Sequence, residues 1–182
     1  MSIPSIRIGI SSCLLGWKVR YDAGHKRNAF LMETLGRFVE WVPVCPEVEV
    51  GMDTPRDTLR LVRVGREVRM IVPKTGADHT RAMRAYANRR VAELARENLS
   101  GYILKSKSPS CGLENVKTFD RRGRFSRPGR GLFAEALLAR FPNLPMEEEG
   151  RLRDPRLLQN FLERVYAYHR LHFSPRRKGA KG

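Results

Sequence analysis

Short apolar segments with the spacing of β-strands occur at several points in the chain. Ile6, Ile8 and Ile10 alternate with polar or small residues, which is typical of a strand with one buried face. Residues 41–44 and 101–104 are short runs of mainly apolar residues, as in strands buried on both faces. Each of the three segments is followed by a polar loop, so the sequence predicts three strands that end near polar residues.

Two further alternating segments flank a two-residue turn. Residues 59–64 and 67–72 lie on either side of Gly65-Arg66. A glycine in the first position of such a turn is the signature of a type II′ β-hairpin. The sequence therefore predicts a hairpin over this part of the chain.

Four segments carry apolar residues at the three- and four-residue spacing of a helix face. They cover about 28–40, 80–97 and 132–140, with a last one that opens at Asp154-Pro155. An aspartate followed by proline is a common helix start. Strands that alternate with helices predict an α/β fold, here a Rossmann-like three-layer domain with a mostly parallel sheet. The β-hairpin and a C-terminal helical extension would be additions to that domain.

The acidic run Glu147-Glu148-Glu149-Gly150 has the composition of a linker. We therefore predict a first domain over residues 1–145, followed over 146–182 by a linker, a helix and a basic tail. The tail has almost no apolar residues, which predicts disorder. Its basic residues are Arg176, Arg177, Lys178 and Lys181.

The chain is strongly basic, with 35 Lys and Arg against 19 Asp and Glu, a formal charge of +16 over 182 residues. Such a charge favours polyanions or anionic substrates, although arginine used as a default surface residue gives the same composition. No apolar run approaches the roughly 18 residues of a membrane span, and the N-terminus lacks a signal-peptide pattern. We expect a cytoplasmic protein with no membrane contact. One internal cluster comprises Arg121, Arg122, Arg124, Arg127 and Arg130.

The three cysteines share one feature, which is their position just after a predicted strand. Cys13 and Cys45 follow the first and second strands closely, and Cys111 ends the loop after the third. The carboxyl ends of parallel strands meet at one edge of a sheet, where ligands bind. Three cysteines separated by about a hundred positions can therefore converge at one site, and their small, odd number argues against a disulfide framework.

Several roles for the cysteines remain open on spacing alone. Free cysteines are often buried and inert. A structural zinc site usually has four ligands and paired C-x-x-C motifs, and no such motif occurs here. Three thiolates suit a [4Fe–4S] cluster with one open iron, since full ligation takes four and an open position is typical of catalytic metal sites.

The loops that carry the cysteines contain a set of recognisable motifs. They are Ile10-Ser-Ser-Cys13-Leu-Leu-Gly16, Val19-Arg20-Tyr21-Asp22, Val44-Cys45-Pro46-Glu47, Gly51, Thr54-Pro55-Arg56, Lys105 and Ser108-Pro109-Ser110-Cys111-Gly112. In order and separation these motifs resemble those of the 2-thiouracil desulfidase family over about residues 5–145. Asp154 to about His172 resembles the start of a second domain that some relatives carry, and Ala23 stands where the family often has glycine.

The resemblance implies a cofactor and a reaction. It implies a [4Fe–4S] cluster held by Cys13, Cys45 and Cys111, with one iron free to bind the sulfur of the substrate. It also implies that Glu47 and Ser108 are catalytic. The substrate would be a thiolated nucleobase such as 2-thiouracil, converted without redox chemistry to the oxo base and sulfide.

Each assigned side chain has a plainer interpretation. The plainer role for Glu47 is to pair with Arg56 or to cap a helix, and Ser108 before a proline is a common turn residue. Asp22 and Lys105 are polar residues near the expected site. They would contact the substrate or orient the ligand loops, although Asp22 suits an ordinary turn equally well.

Two other functions fit the same sequence. The cluster could act on thiolated bases within transfer RNA, which the net charge favours because phosphate contacts dominate affinity for nucleic acid. Alternatively, the protein could be a non-catalytic iron or zinc module that regulates a partner. The sequence predicts no oligomeric state.

Overall fold

Two four-stranded sheets and five helices make up the computed structural model, which describes residues 5–173. In chain order the elements are β1 (Arg7–Ser11), α1 (Ala29–Thr34), β2 (Glu40–Val44), α2 (Pro46–Glu49), β3 (Arg60–Val64), β4 (Glu67–Ile71), α3 (Thr80–Leu94), β5 (Leu99–Leu104), β6 (Val116–Phe119), β7 (Phe125–Gly129), α4 (Leu132–Arg140), β8 (Met146–Glu148) and α5 (Pro155–Phe173). No described helix combines the length and apolar character needed to cross a membrane.

Sheet A is the centre of a three-layer domain. Its strands are all parallel, in the order β2-β1-β5-β8, and every residue of β5 is buried. Tyr102 and Leu104 pack with α3 and α4 on one face, whereas Ile8, Ile10 and Ile103 pack with α1 and α5 on the other. The α/β class and the mostly parallel sheet predicted from the sequence are therefore confirmed.

Sheet B contains the predicted hairpin. Strands β3 and β4 pair antiparallel around Gly65, whose φ of 62° suits the first position of a type II′ turn. The sheet is larger than the sequence indicates, because β6 pairs with β3 in parallel and β7 pairs with β6 antiparallel. The buried side of the sheet joins the core through Leu61, Met70 and Val116.

The predicted helix over 28–40 is shorter in the structure. It begins where the Asn28 side chain accepts a hydrogen bond from the Leu31 N–H, and it ends at Thr34. A Cβ at Gly36 would lie 2.4 Å from the carbonyl oxygen of Met32, so the turn that follows the helix admits only glycine at this position. The apolar residues beyond Thr34 continue the helical pattern but belong to this turn and to the approach to β2.

The acidic run is part of sheet A, so the linker interpretation was wrong there. Met146–Glu148 pairs with β5 in parallel. The Glu148 carboxylate accepts the N–H of Leu113 at 2.8 Å, and buried Glu147 pairs with Arg151 at 2.9 Å. Both carboxylates can lie at the sheet because each has a charged or hydrogen-bonding partner.

Helix α5 forms a layer of the domain. Phe161 and Val165 are buried against sheet A, and His169 forms a buried hydrogen bond with Ser100 of β5 at 2.8 Å. The role of 146–182 as the start of a second module stays a prediction. The basic tail lies outside the described residues.

Replacing Gly101 with alanine should destabilise the protein by about 1–3 kcal/mol, because the added carbon overpacks the contact between β5 and α5. An ideal Cβ there would lie 2.8 Å from Val165 Cγ2. Urea denaturation measures the loss. Gly150→Ala is the matched control, since that position has φ of −66° and nothing within 4 Å of an added carbon. Equal stability of the two variants would contradict close packing of α5 on the sheet.

Candidate functional site

The three cysteines line one cavity of about 310 Å³ at the carboxyl edge of sheet A. Cys13 lies in a short 3-10 turn directly after β1, Cys45 lies between β2 and α2, and Cys111 ends the loop after β5. Because β2, β1 and β5 are neighbours in the sheet, their loops meet at the same edge. The structure thus brings together three residues that are far apart in sequence.

Burial keeps the three thiols protonated in the absence of a positive ligand. It raises the pKa of Cys13 to about 11, with the nearby Cys45 adding to the rise and Lys105 and Arg20 opposing it. Burial also raises the pKa of Cys45 and, more strongly, that of Cys111. A metal provides the charge that such thiolates require, so the donor set suits a cationic group.

A single metal ion needs donors that meet around it. Within residues 5–173, no three His, Cys, Asp or Glu side chains are grouped closely enough to hold one. All ligands of a tetrahedral zinc bind the same ion at about 2.0–2.3 Å. In a four-iron cluster each cysteine binds a different iron. Three thiols that line one cavity are donors of the kind that such a cluster takes.

Glu47 lies in the cavity wall, with a side chain that is 14% exposed. One carboxylate oxygen pairs with the Arg56 guanidinium, whose Nε lies 3.1 Å away, and the other accepts the Ser110 hydroxyl at 2.7 Å. Arg56 also donates to the Val19 carbonyl oxygen at 3.0 Å. The ion pair considered for Glu47 therefore exists, and it holds the carboxylate in one orientation beside the cysteines.

Ser108 supports the loop that carries Cys111. Its hydroxyl oxygen accepts the backbone N–H of Cys111 at 3.0 Å and that of Ser110 at 3.3 Å. The Ser108 and Ser110 hydroxyls are 3.0 Å apart, so Ser108 is linked through Ser110 to Glu47. We did not single out Ser110 from the sequence, although its place in the Ser-Pro-Ser-Cys motif was the available signal.

Lys105 lies in the cavity wall and is held by Glu149. The Lys105 ammonium pairs with the Glu149 carboxylate and donates to the Ser106 carbonyl oxygen at 3.1 Å. The same carboxylate accepts the Ser106 N–H at 2.7 Å. Sequence analysis missed Glu149 because it belongs to the acidic run interpreted as a linker.

Asp22 does not line the cavity. Its side chain is exposed, accepts the Gly24 N–H at 3.0 Å and pairs with Arg20 at 3.4 Å. The hydrogen bond from Gly24 is the main cause that lowers the Asp22 pKa. Asp22 thus stabilises the turn beside the site, whereas its neighbours Arg20 and Tyr21 line the cavity itself.

Glu49 anchors the loop that carries Cys45, a role that sequence analysis did not assign. Its carboxylate accepts the backbone N–H of Cys45 at 2.9 Å and the Tyr86 hydroxyl at 2.7 Å, and it lies 3.1 Å from the Arg90 guanidinium. Burial and this hydrogen bond raise the pKa of Tyr86. The contacts connect the Cys45 loop to α3.

Replacing Glu49 with alanine should cost about 1.5–3 kcal/mol of stability, as is usual for hydrogen bonds to a charged group whose partners stay buried. Urea denaturation measures the cost. Glu93→Ala is the control, because it removes a carboxylate that pairs with the same Arg90 but is 49% exposed. Such an exposed pair contributes about 1 kcal/mol or less. A Glu49 variant as stable as the control would show that the Cys45 loop does not depend on this anchor.

The fold and the cavity define a three-layer α/β protein with a thiol-lined site at the carboxyl edge of its parallel sheet. Residues 8–149 match the model of the 2-thiouracil desulfurase family. The chain belongs to this family, as the resemblance of its motifs indicated. The matched range includes β8, the strand that contains part of the acidic run.

Two similar proteins extend the comparison. The chain is 32% identical over 108 residues to the uncharacterized protein YbbK of Bacillus subtilis, an alignment that covers 57% of this chain and 71% of the relative. The fold is also similar to the solved structure of a [4Fe–4S]-dependent thiouracil desulfidase, TudS. That match has a TM-score of 0.62 and 28% identity, and it covers 86% of this chain and 99% of the other.

Proposed function

We propose that this protein is a [4Fe–4S]-dependent desulfidase that removes sulfur from a thiolated nucleobase such as 2-thiouracil. The products are the oxo base and sulfide. The observation that carries the proposal is the shared cavity of Cys13, Cys45, Cys111 and Glu47. The supporting comparison is the desulfidase TudS, which has the same fold and depends on a [4Fe–4S] cluster.

Cys13, Cys45 and Cys111 are the residues that would hold the cluster. They would provide three thiolate ligands and leave one iron without a protein ligand. When bound, such a cluster would supply a Lewis acid for the thiocarbonyl group of the substrate. Conversion of C=S to C=O leaves the oxidation state of the carbon unchanged, so the exchange needs no external electron donor.

Glu47 is proposed as the general base. It takes a proton from the water that attacks the thiocarbonyl carbon, while the C–O bond forms and the C–S bond breaks. Arg56 fixes one carboxylate oxygen and Ser110 donates to the other, so the base is held in one orientation. A base in a fixed position contributes more to the rate than a mobile one.

Ser108 is proposed to act in two ways. Its hydroxyl oxygen orients the Cys111 loop through backbone N–H groups. Its hydroxyl also ends a hydrogen-bonded chain that runs from Glu47 through Ser110 to Ser108. This chain provides a route by which the proton removed from water reaches a second position in the site.

Lys105 and Asp22 are given different roles. Lys105 is oriented by Glu149 in the cavity wall, and we propose that it contacts the polar edge of the substrate. Asp22 is proposed to act indirectly, by stabilising the turn that places Arg20 and Tyr21 at the cavity. Three free cysteines also suit a reducing compartment, so we propose that the protein works in the cytoplasm.

Anaerobic reconstitution with iron and sulfide tests the proposed function directly. We expect bound iron and acid-labile sulfide, a broad absorbance in the visible range, and release of sulfide from 2-thiouracil. Protein incubated without iron should release none. A reconstituted protein that binds no iron would exclude the proposed cofactor. A protein that binds a cluster but does not act on 2-thiouracil would indicate that the substrate is another thiolated base.

The same chemistry on thiolated bases within RNA is the second candidate. The charge of +16 favours it, because phosphate contacts dominate affinity for nucleic acid. Comparing sulfide release from 2-thiouracil with that from a thiolated oligonucleotide separates the two substrates. Faster release from the oligonucleotide, with a steep dependence on salt, would select the RNA substrate.

A further inference from the structure

The outer side of sheet B carries a partly exposed row of side chains that the proposed chemistry does not use. The strand registers pair Arg69 with Val62, Val62 with Phe119, and Phe119 with Phe125. These residues therefore lie side by side across all four strands. The opposite side of the sheet, which includes Leu61, is buried.

Sheet B is unusually rich in positive charge. Its two segments, 60–71 and 116–129, contain nine Lys and Arg against two Asp and Glu. In the part of the chain that the structure describes, only Arg69 and Arg124 of these nine form ion pairs with acidic side chains. The nine are Arg60, Arg63, Arg66, Arg69, Lys117, Arg121, Arg122, Arg124 and Arg127.

Two aromatic rings lie among these basic residues. Phe125 is 59% exposed, and Phe119 lies beside it with the Arg60 guanidinium 4.9 Å from the centre of its ring. An apolar ring that only fills a core would be covered on both faces. We call the row of Arg60, Arg69, Lys117, Phe119 and Phe125, together with the turn residues Arg121 and Arg122, the basic face.

We propose that the basic face binds a single-stranded polynucleotide. Unpaired bases stack on the exposed ring of Phe125 and on the Arg60 guanidinium that lies over Phe119, and the flanking cations contact the phosphates. Aromatic rings on a sheet surrounded by Lys and Arg are the general means by which proteins bind single strands. A duplex hides the faces of its bases, and an anionic membrane favours a surface with a broad apolar side, so both fit the face less well.

The experiment measures binding of a fluorescein-labelled oligouridylate of about twelve nucleotides, which is within the usual site size. Fluorescence anisotropy is recorded at several salt concentrations. The oligonucleotide contains no sulfur, so the result is independent of the desulfidase proposal. We expect the wild type to bind, with a binding constant whose logarithm falls linearly with the logarithm of the salt concentration.

Two variants separate the charge from the aromatic contribution. Arg121→Glu with Arg122→Glu should weaken binding at least about tenfold and lower the salt slope by about 1.4, since each lost phosphate contact on a single strand contributes about 0.7. Phe125→Ala should weaken binding about five- to a hundredfold, the range for loss of one stacked base, with an unchanged slope. Thermal unfolding checks that each variant is folded.

Arg37→Glu with Arg170→Glu is the matched control, because both residues are exposed, lie outside sheet B and give the same change in net charge. This control should retain binding within about twofold, as expected for charges that make no phosphate contact. Equal weakening by the two double variants would overturn the proposal in favour of a general charge effect. Binding to phosphatidylserine vesicles without binding to the oligonucleotide would also overturn it.

Discussion

Replacing Cys111 with alanine should leave the reconstituted protein without a stable cluster and lower sulfide release at least about a thousandfold. The thiol is buried in the cavity wall, and the chain has no fourth cysteine to replace it. A metal used as a Lewis acid supplies several kcal/mol of transition-state stabilisation, and each 1.36 kcal/mol corresponds to about a factor of ten in rate.

The measurement is iron and acid-labile sulfide per chain, followed by turnover of 2-thiouracil. Cys111→Ser should also lose the bound iron and sulfide and the turnover, because a hydroxyl is a poor replacement for a soft thiolate ligand. Far-UV circular dichroism of the iron-free proteins checks that the variants are folded. A Cys111→Ala protein with full iron and full activity would remove Cys111 from the ligand set.

Replacing Glu47 with glutamine should lower kcat about a hundredfold to ten-thousandfold, the usual contribution of a positioned general base, without changing the iron content. Glutamine has the same shape and can still accept from Arg56. It cannot take a proton, and its amide nitrogen replaces the oxygen that accepts from Ser110. The rate of the chemical step should therefore fall, whereas the structure of the cavity should not change.

The matched control is Glu67→Gln, which makes the same change at a carboxylate that is 71% exposed in sheet B. It should keep full activity. A Glu47→Gln protein with normal turnover would remove Glu47 from the catalytic residues. Reduced thermal stability with unchanged kcat would then show that the ion pair with Arg56 only stabilises the loop.

Local patterns were sufficient for the central part of the fold. Alternation before Cys13 and the apolar runs before Cys45 and Cys111 identified three adjacent strands of sheet A, and Gly65-Arg66 identified the first hairpin. The hairpin of β6 and β7 was missed because eight residues in a row, from Arg121 to Pro128, are exposed, so β7 shows no alternation of apolar and polar residues. Strand β8 was missed because Glu147 and Glu148 are charged.

The partners of those acidic residues explain why sequence analysis failed there. Glu148 accepts a backbone N–H from Leu113, and Glu149 holds Lys105. Both partners are more than thirty positions away, so no local pattern indicates that the carboxylates are satisfied inside the fold. The same limit applies to Ser110, whose contact with Glu47 joins loops that are 63 positions apart.

The resemblance of the motifs supplied what periodicity could not. Spacing alone did not decide whether the cysteines are inert thiols, zinc ligands or cluster ligands, and the resemblance favoured a cluster. One departure from the family has a physical explanation in the structure. Ala23 has φ of 54°, in the left-handed region where glycine is favoured, which accounts for the glycine that the family often has there.

The position of the cysteines after β1, β2 and β5 has a consequence for the durability of the protein. On the proposed ligand set, one group ties together three loops spread over about a hundred residues, and it restricts opening as a cross-link does. Loss of the cluster in air would therefore remove the Lewis acid and would also free the three loops that the cluster had tied together. More frequent opening would expose the thiols to oxidation beyond repair, so inactivation of this protein would accelerate itself.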